Sequence, residues 1–211
     1  TPGDYKLDHV GGVPTDKEEE TYAEFAKDNN LLLLTDSTNI ENPGFSTPEY
    51  LVGENLAEIV KTVKTRLIVS MFASHITRIA KVIEACEVNN KKVVIEGRSM
   101  KNNVDICIAA GLIKVKDGTI IPSTDIASYP PDRIIVLATG AQGDEFAALT
   151  RLANKSHKQL RLAEHDTVLL SASIVPGNEK AVQDLKDNIA RHGARIIHYR
   201  TSEVYIHSTG H

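Results

Sequence analysis

Residues 66–96 read RLIVSMFASHITRIAKVIEACEVNNKKVVIE. The two ends of this stretch, 66–72 and 92–96, are short apolar runs rich in β-branched residues, a composition typical of buried strands. Between them, residues 74–88 carry apolar side chains at the spacing of one helix face, namely Ile76, Ile79, Ala80, Ile83 and Cys86. Two buried strands joined by an amphipathic helix predict a parallel strand pair with a crossover helix.

The same alternation extends in both directions from this unit. Further strands are predicted over residues 31–36, 133–138, 167–171, 195–199 and 204–207. Further helices are predicted over residues 21–29, 48–63, 99–112, 144–153 and 178–192, and Gly193 stands where a left-handed C-cap is expected. Residues 120–128 have no clear period. Because buried strands alternate with amphipathic helices, we predict a three-layer α/β fold, a mostly parallel sheet with helices on both faces.

The composition is that of an ordinary globular protein. Of 211 residues, 41% are hydrophobic and 25% are charged, which is not the composition of a disordered chain. The net charge of −4 argues against a protein that coats nucleic acid, and leaves room for a locally basic groove. The longest apolar runs, such as 31–34, fall far short of the ~20 residues of a membrane span. Cys86 and Cys107 are predicted to be reduced core residues of a cytoplasmic protein.

Charge divides the chain into two parts. Residues 1–45 carry three lysines and ten acidic residues, so their net charge is −7 and that of residues 46–211 is +3. The regular alternation begins at Leu31, and no repeat or low-complexity linker interrupts it. We therefore predict one domain over residues 31–211, preceded by a separate segment over residues 1–30. Since the chain begins without Met and stops at His211, we expect it to be a piece of a longer protein.

Small, hydroxylic or glycine residues follow almost every predicted strand. Ligands in open parallel sheets bind beyond the carboxyl ends of the strands, and such residues let backbone approach a phosphate at helix N-termini. The stretches are DSTN (36–39), ASH (73–75), GRSM (97–100), TGAQG (139–143), SAS (171–173), PGNE (176–179) and HSTGH (207–211). Singly, each has a simpler explanation: Ser74 and Ser99 are good helix N-caps, and Gly140 and Gly143 suit a tight turn. Their recurrence at successive strand ends favours a ligand site.

His207 and His211 have the four-residue spacing of a helical metal-binding pair. The preceding Val-Tyr-Ile and the following Gly210 indicate a strand that leads into a turn instead. Two histidines also fall one short of the three protein ligands of a catalytic zinc site.

In these motifs the chain resembles the β-CASP domain of ribonuclease J, a family of the metallo-β-lactamase superfamily of nucleases. The matching stretches follow the family's order: Asp36-Ser-Thr-Asn with Pro43-Gly44, Phe72-Ala-Ser with Arg78, Gly97-Arg-Ser-Met, Thr139-Gly-Ala-Gln-Gly, Pro176-Gly-Asn-Glu, and His207 with Gly210-His211. The resemblance implies a β-CASP domain over residues 31–211. It also implies that residues 1–30 are a remnant of the host metallo-β-lactamase domain plus a linker.

The resemblance implies that RNA runs in a channel between the β-CASP domain and the metallo-β-lactamase domain of the same parent chain. That second domain would supply most of a two-metal, zinc-type site that activates water. Its His-x-His-x-Asp-His motif is absent from this sequence. Asp4, in Gly3-Asp-Tyr-Lys, resembles the metal-bridging aspartate of the family and would be the remaining ligand. We therefore expect this chain to bind no zinc of its own and to be inactive alone.

The resemblance also assigns roles residue by residue. Asp36 matches the acid, and His211 the histidine, that act at the scissile phosphate; a carboxylate would orient the imidazole and raise its pKa, as suits a proton donor. His207 and Thr209 match the segment that holds the 5′-monophosphate. Further contacts to RNA phosphates are expected from Ser74, Arg78, Arg98 and Ser99. The chain has His75 where the family usually has Asn, and Thr209 where it usually has Ser.

The expected parent protein is a cytoplasmic, metal-dependent 5′→3′ exoribonuclease and endoribonuclease of RNA decay and maturation. Its partner would be single-stranded RNA with a 5′-monophosphate, with no membrane involved, and assembly into a homo-oligomer is left open. Three alternatives remain: an RNA 3′-end-processing endonuclease of the same superfamily, a non-catalytic α/β module that binds a phosphate ligand, and a pure assembly domain. The absence of Gly-x-Gly-x-x-Gly after the first strand counts against a dinucleotide ligand.

Overall fold

A computed structural model describes residues 6–37, 43–198 and 201. Its strands are β1 (His9–Val10), β2 (Val13–Pro14), β3 (Leu67–Ser70), β4 (Lys92–Glu96), β5 (Ile134–Ala138), β6 (Thr167–Leu170) and β7 (Arg195–His198). Its α-helices are α1 (Asp16–Ala26), α2 (Glu49–Thr62), α3 (Ile76–Val88), α4 (Arg98–Ala109), α5 (Ala148–Ala153) and α6 (Glu179–Ala190). Two short 3-10 helices, Ser123–Ser128 and Pro131–Arg133, precede β5.

The central element is a five-stranded sheet in the order β4-β5-β3-β6-β7. Every neighbouring pair in it is parallel, and Ile68 of β3 pairs with Val136 of β5 on one side and Val168 of β6 on the other. The predicted parallel α/β sheet is therefore confirmed. β1 and β2 form a separate antiparallel hairpin.

Two hydrophobic cores lie on opposite faces of the sheet. Because successive side chains of a strand point to opposite faces, Leu67 and Val69 pack against α2, α3 and α4, whereas Ile68 packs against α5 and α6. The strands β3, β5 and β6 are buried along their whole length. The arrangement has three layers, as predicted, and both layers of helices begin near the carboxyl ends of the strands.

Several local details follow from the sequence. α6 ends at Ala190 with Arg191 as its C-cap, two residues before the predicted end, and Gly193 follows in the turn with a φ of +75°, the left-handed conformation that glycine adopts without the steric cost of a Cβ atom. Cys86 and Cys107 are free thiols, buried in the core between the sheet and helices α2 to α4.

None of the helices among the described residues is both long enough and apolar enough to cross a lipid bilayer.

The predicted buried strand over residues 31–36 is wrong. Leu31, Leu32, Leu33 and Leu34 are 101, 70, 60 and 59% exposed, and the segment contributes only an isolated bridge at Thr35. An apolar run is buried only when a sheet offers it a partner, and the five-stranded sheet of the described residues does not include this segment. The predicted apolar face of α1 is likewise half exposed, and α1 has no buried residue.

Other predicted boundaries shift by a few residues. α5 begins at Ala148 rather than at residue 144, and α1 begins at Asp16 rather than at residue 21. The strand predicted over residues 204–207 lies outside the described residues. The family-based division at residues 30 and 31 stays a prediction; the described cores are built from Val52 onward.

Candidate phosphate-binding edge of the sheet

The loops that follow β3, β4, β5 and β6 all lie at one edge of the sheet, because parallel strands end on the same side. Hydrogen bonds join them there. The Met71 N–H donates to the Ala138 carbonyl and the Thr139 N–H to the Glu96 carbonyl, at 3.2 and 3.3 Å. The Asn103 side chain of α4 donates to the Ala73 carbonyl at 2.8 Å. We call this assembly of loops the carboxyl edge.

Ser74 and Ser99 are brought to the carboxyl edge as exposed residues, and neither acts as a helix N-cap. The N-cap of α3 is His75 and that of α4 is Gly97, and neither helix has a side-chain capping bond. The simpler explanation of these two serines as caps is therefore wrong. Both serines are exposed, Ser74 just before α3 and Ser99 in the first turn of α4.

Arg98, the first residue of α4, is an exposed cation at this edge. The preceding Gly97 has a φ of +112°, and a Cβ atom there would lie 2.5 Å from the Thr139 hydroxyl. Glycine is thus required for the chain to turn from β4 into α4 against the loop after β5. The turn presents a guanidinium, a hydroxyl and the N-terminus of a twelve-residue helix together.

A buried acid–base pair, Glu96 with His157, lies directly beneath this turn. The two residues are 5 and 4% exposed. The His157 Nδ1 atom accepts the Leu160 N–H at 3.2 Å, so the ring proton is on Nε2, which faces the Glu96 carboxylate at 3.4 Å. Burial lowers the pKa of His157, and the Glu96 carboxylate opposes that change. This pair was not predicted from the sequence, in which its signal is an acidic residue at the end of a buried strand.

Arg78 lies in the first turn of α3, with its side chain only 5% exposed. Its guanidinium donates two hydrogen bonds to the carboxylate of Glu49, the first residue of α2. The Lys6 ammonium also contacts this carboxylate at 3.2 Å. Burial would raise the pKa of Glu49, but the charges and hydrogen bonds of Arg78 and Lys6 hold it below its ordinary value. Arg78 thus joins α3 to α2, and its predicted contact with RNA stays a prediction.

A groove of about 640 Å³ runs along α2 and α3 beside this ion pair. Small residues, Gly53, Ala57 and Ala85, form part of its floor, while Lys61 and Lys81 stand among its lining residues. Each of these lysines is paired on its own helix, with Glu58 and Glu84 respectively. Five acidic and three basic residues line the groove, so its lining has a net negative charge, which does not favour a phosphate ligand.

Of the remaining residues singled out in the sequence, only Asp36 and His75 lie within the described part of the chain. Asp36 is half-buried in the segment that follows the exposed leucines. His75 stacks edge-on against Phe72, with ring centroids 5.3 Å apart. Asp4, His207, Thr209 and His211 lie outside the described residues, so their predicted roles stay predictions.

The described residues do not fit a metal centre. Across residues 6–37 and 43–198, no three His, Cys, Asp or Glu side chains come together as a metal ion would require. The pair of Glu96 and His157 supplies two groups, and both already face each other in the core. A catalytic zinc site needs three protein ligands.

Comparisons with known proteins agree with this architecture. Residues 64–189 match the family model described as ribonuclease J, β-CASP domain. The chain is 35% identical over 209 residues to a ribonuclease J of Mycoplasma genitalium, covering 99% of this chain and 36% of that protein. It is 37% identical over 211 residues to a ribonuclease J of Corynebacterium glutamicum, covering 29% of that protein. It is 32% identical over 209 residues to ribonuclease J2 of Bacillus subtilis, covering 37%. The chain spans about a third of the length of these curated relatives.

Proposed function

Because this chain belongs to the ribonuclease J β-CASP family, we propose that it is the RNA-binding part of a ribonuclease J-like nuclease. The parent would be a metal-dependent 5′→3′ exoribonuclease and endoribonuclease that acts in RNA decay and maturation. One observation carries the proposal: the motif loops after four parallel strands meet at the carboxyl edge, with Ser74, Arg98 and Ser99 exposed there. The match to ribonuclease J favours this over a 3′-end-processing endonuclease.

Phosphate binding is assigned to the start of α4. A guanidinium forms paired, charge-assisted hydrogen bonds with phosphate oxygens, and the helix N-terminus adds unpaired N–H groups and a partial positive charge. Arg98 and Ser99 stand together at that terminus, and Ser74 lies on the neighbouring loop after β3. Arg78 is a less favourable contact, since a phosphate would have to displace Glu49 from it.

Two further roles rest on the family's motifs. His211 would donate a proton to the leaving oxygen, and Asp36 would orient its imidazole and raise its pKa. His207 and Thr209 would hold the 5′-monophosphate of single-stranded RNA, the hydroxyl of Thr209 standing in for that of a serine. His75, in place of the usual Asn, would remove any amide contact to RNA at that position.

The metallo-β-lactamase domain of the same parent chain would supply most of the ligands of the metal ions. There, a zinc-type pair supplies the chemistry of water activation. In this chain only Asp4 corresponds to a ligand of that pair, and the described residues do not fit a metal centre. We therefore expect no hydrolysis of 5′-monophosphorylated RNA by this chain alone with added zinc or manganese. Turnover that survives Asp4→Ala would contradict this expectation.

The cellular setting is part of the same proposal. Two free, buried thiols, Cys86 and Cys107, suit a reducing compartment, so we place the parent in the cytoplasm. Whether it assembles into a homo-oligomer can be measured by sedimentation of the full-length protein.

Binding of the 211-residue chain to a 3′-labelled, 5′-monophosphorylated single-stranded RNA tests the proposal, by fluorescence anisotropy. Arg98→Ala should weaken binding about tenfold, and the slope of log K against log [salt] should fall by about 0.7, the value for one phosphate contact on a single strand. The matched control is Arg191→Ala, an exposed arginine at the end of α6 on the opposite edge. Equal losses from both variants, or no binding by the unaltered chain, would refute the proposal.

A further inference from the structure

Gln142 lies in the loop after β5, with only 6% of its surface exposed. Its side-chain amide contacts the loop after β6 at both ends. The Nε2 atom donates to the Ser173 carbonyl at 2.7 Å, and the Oε1 atom accepts the Val175 N–H at 2.9 Å. Asn178 adds a longer contact to Oε1 at 3.4 Å. A buried amide whose donor and acceptor both meet backbone groups is held in one orientation.

These two loops do not belong to neighbouring strands. In the sheet order β4-β5-β3-β6-β7, the central strand β3 lies between β5 and β6. The contacts of Gln142 therefore cross the carboxyl end of β3, where the loop that carries Ser74 begins. The helix after β3 packs on one face of the sheet, and those after β5 and β6 pack on the other. Such a change of face is where open α/β sheets form their ligand crevice.

The neighbouring Gly143 tightens the same junction. Its φ is +78°, and a Cβ atom there would lie 2.6 Å from the carbonyl oxygen of Ala181 in α6. The loop after β5 thus packs directly against the first turn of α6. Together, Gln142 and Gly143 hold the loops after β5 and β6 as one unit across the carboxyl end of β3, and this unit would form one wall of a crevice there.

From this geometry we infer that Gln142 is a positioning residue for RNA binding. Its amide sets the separation of the loops after β5 and β6 and keeps the wall of the crevice in place while phosphates bind at the carboxyl edge. The inference rests on the proposed function and adds to it a residue whose side-chain amide bonds to the backbone of the loop after β6.

Gln142→Glu tests this role with a change of one atom. One carboxyl oxygen can still accept the Val175 N–H. The other donates to the Ser173 carbonyl when the carboxyl is protonated, and repels that carbonyl when it is ionised. The affinity of the variant for RNA, relative to the unaltered chain at the same pH, should be about tenfold lower at pH 7.5, the value of one lost hydrogen bond. Because burial at this position should raise the pKa of the introduced carboxyl, this ratio should recover towards one at pH 5.

Two further variants separate positioning from other effects. Gln183→Glu introduces the same charge on the exposed face of α6 and should leave the ratio of affinities near one at every pH. Gln142→Ala should weaken RNA binding at every pH. It should also speed hydrogen exchange of the Val175 amide, measured by NMR without RNA.

The outcomes are distinct. If the unaltered chain binds RNA and Gln142→Glu binds equally well at pH 7.5, the positioning role is wrong and the proposed function stands. The role is also wrong if Gln142→Ala releases the Val175 amide without weakening RNA binding. If the unaltered chain binds no RNA, the proposed function fails and this role fails with it.

Discussion

Replacing Glu49 by glutamine should destabilise the protein by about 3 kcal/mol. Removing one partner of a fully buried ion pair costs roughly 3–5 kcal/mol, because the other charge stays buried and unpaired. The Arg78 side chain is 5% exposed and that of Lys6 is 12% exposed, so both would lose the neutralising carboxylate. We use the lower end of the range because Glu49 itself is 33% exposed and partly screened by water.

The reciprocal change should cost less. In Arg78→Gln the carboxylate of Glu49 keeps Lys6 as a partner and keeps its contact with water, so we expect a loss of about 1.5 kcal/mol. Lys81→Gln is the matched control on the same helix, since the ion pair of Lys81 with Glu84 is more than half exposed. Such pairs contribute about 0–1 kcal/mol. The expected order of destabilisation is therefore Glu49→Gln, then Arg78→Gln, then Lys81→Gln.

Urea unfolding followed by circular dichroism measures these differences. With a slope of about 3 kcal/mol per molar urea, the midpoint of Glu49→Gln should fall by about 1 M. Because the pKa of Glu49 is lowered in the folded state, the contribution of its charge is present above its ordinary pKa. It is lost as the pH falls below that value, so the difference between Glu49→Gln and the unaltered chain should shrink in acid.

RNA binding distinguishes an ion pair from a phosphate contact at Arg78. If the pair has only a structural role, folded Arg78→Gln and Glu49→Gln should both bind RNA within about twofold of the unaltered chain. If Arg78 contacts phosphate, Arg78→Gln should weaken binding and Glu49→Gln should strengthen it. Equal stability of Glu49→Gln and Lys81→Gln would refute the argument from burial.

Three further predictions concern stability, pH and catalysis. Gly143→Ala should lower the free energy of unfolding by at least about 2 kcal/mol, because of left-handed backbone strain and contact with the Ala181 carbonyl. Thermal unfolding measures this loss. The control is Gly177→Ala, which has a positive φ as well but no neighbouring atom near the new Cβ, so the difference between the two variants gives the steric part. The pKa of buried His157 is lowered, so as the pH falls the imidazole is protonated in the unfolded chain before it is protonated in the folded one. The free energy of unfolding should therefore fall as the pH drops from 7.5 through about 6.5. His157→Gln should flatten this pH dependence in urea titrations, and an unchanged dependence would contradict the role of His157. In a reconstructed full-length enzyme, His211→Ala should slow single-turnover cleavage by about 10²–10⁴-fold while RNA affinity changes far less; a loss of affinity alone would show that His211 is only a phosphate contact.

The alternation of apolar strands and amphipathic helices was enough to predict the layers of this fold. Buried strands such as those at 67–70 and 134–138 read as continuous apolar runs because both of their faces are covered. The order of the strands could not be read in the same way. β5 inserts between β3 and β4, which are consecutive in sequence, and only packing of the whole chain decides that placement.

The leucine run at residues 31–34 illustrates the limit of local pattern. Its composition is that of a buried strand, yet its side chains are 59–101% exposed. Burial depends on a partner surface, which a local stretch of sequence does not specify. The same limit applies to α1, which has the composition of an amphipathic helix but no buried residue.

In the candidate site, too, the sequence determined some features and the tertiary structure determined others. The sequence by itself determined that Ser74, Arg98 and Ser99 share one edge, because strands that run parallel must end on the same side. Only the tertiary structure decided which side chains meet: Arg78 with Glu49 across 29 positions, and Gln142 with Ser173 across 31. It also placed Glu96 against His157 beneath the turn from β4 into α4. Each of these contacts joins elements that approach only when the sheet and its helices pack, because side-chain hydrogen bonds require distances of about 3 Å that no spacing along the chain can set.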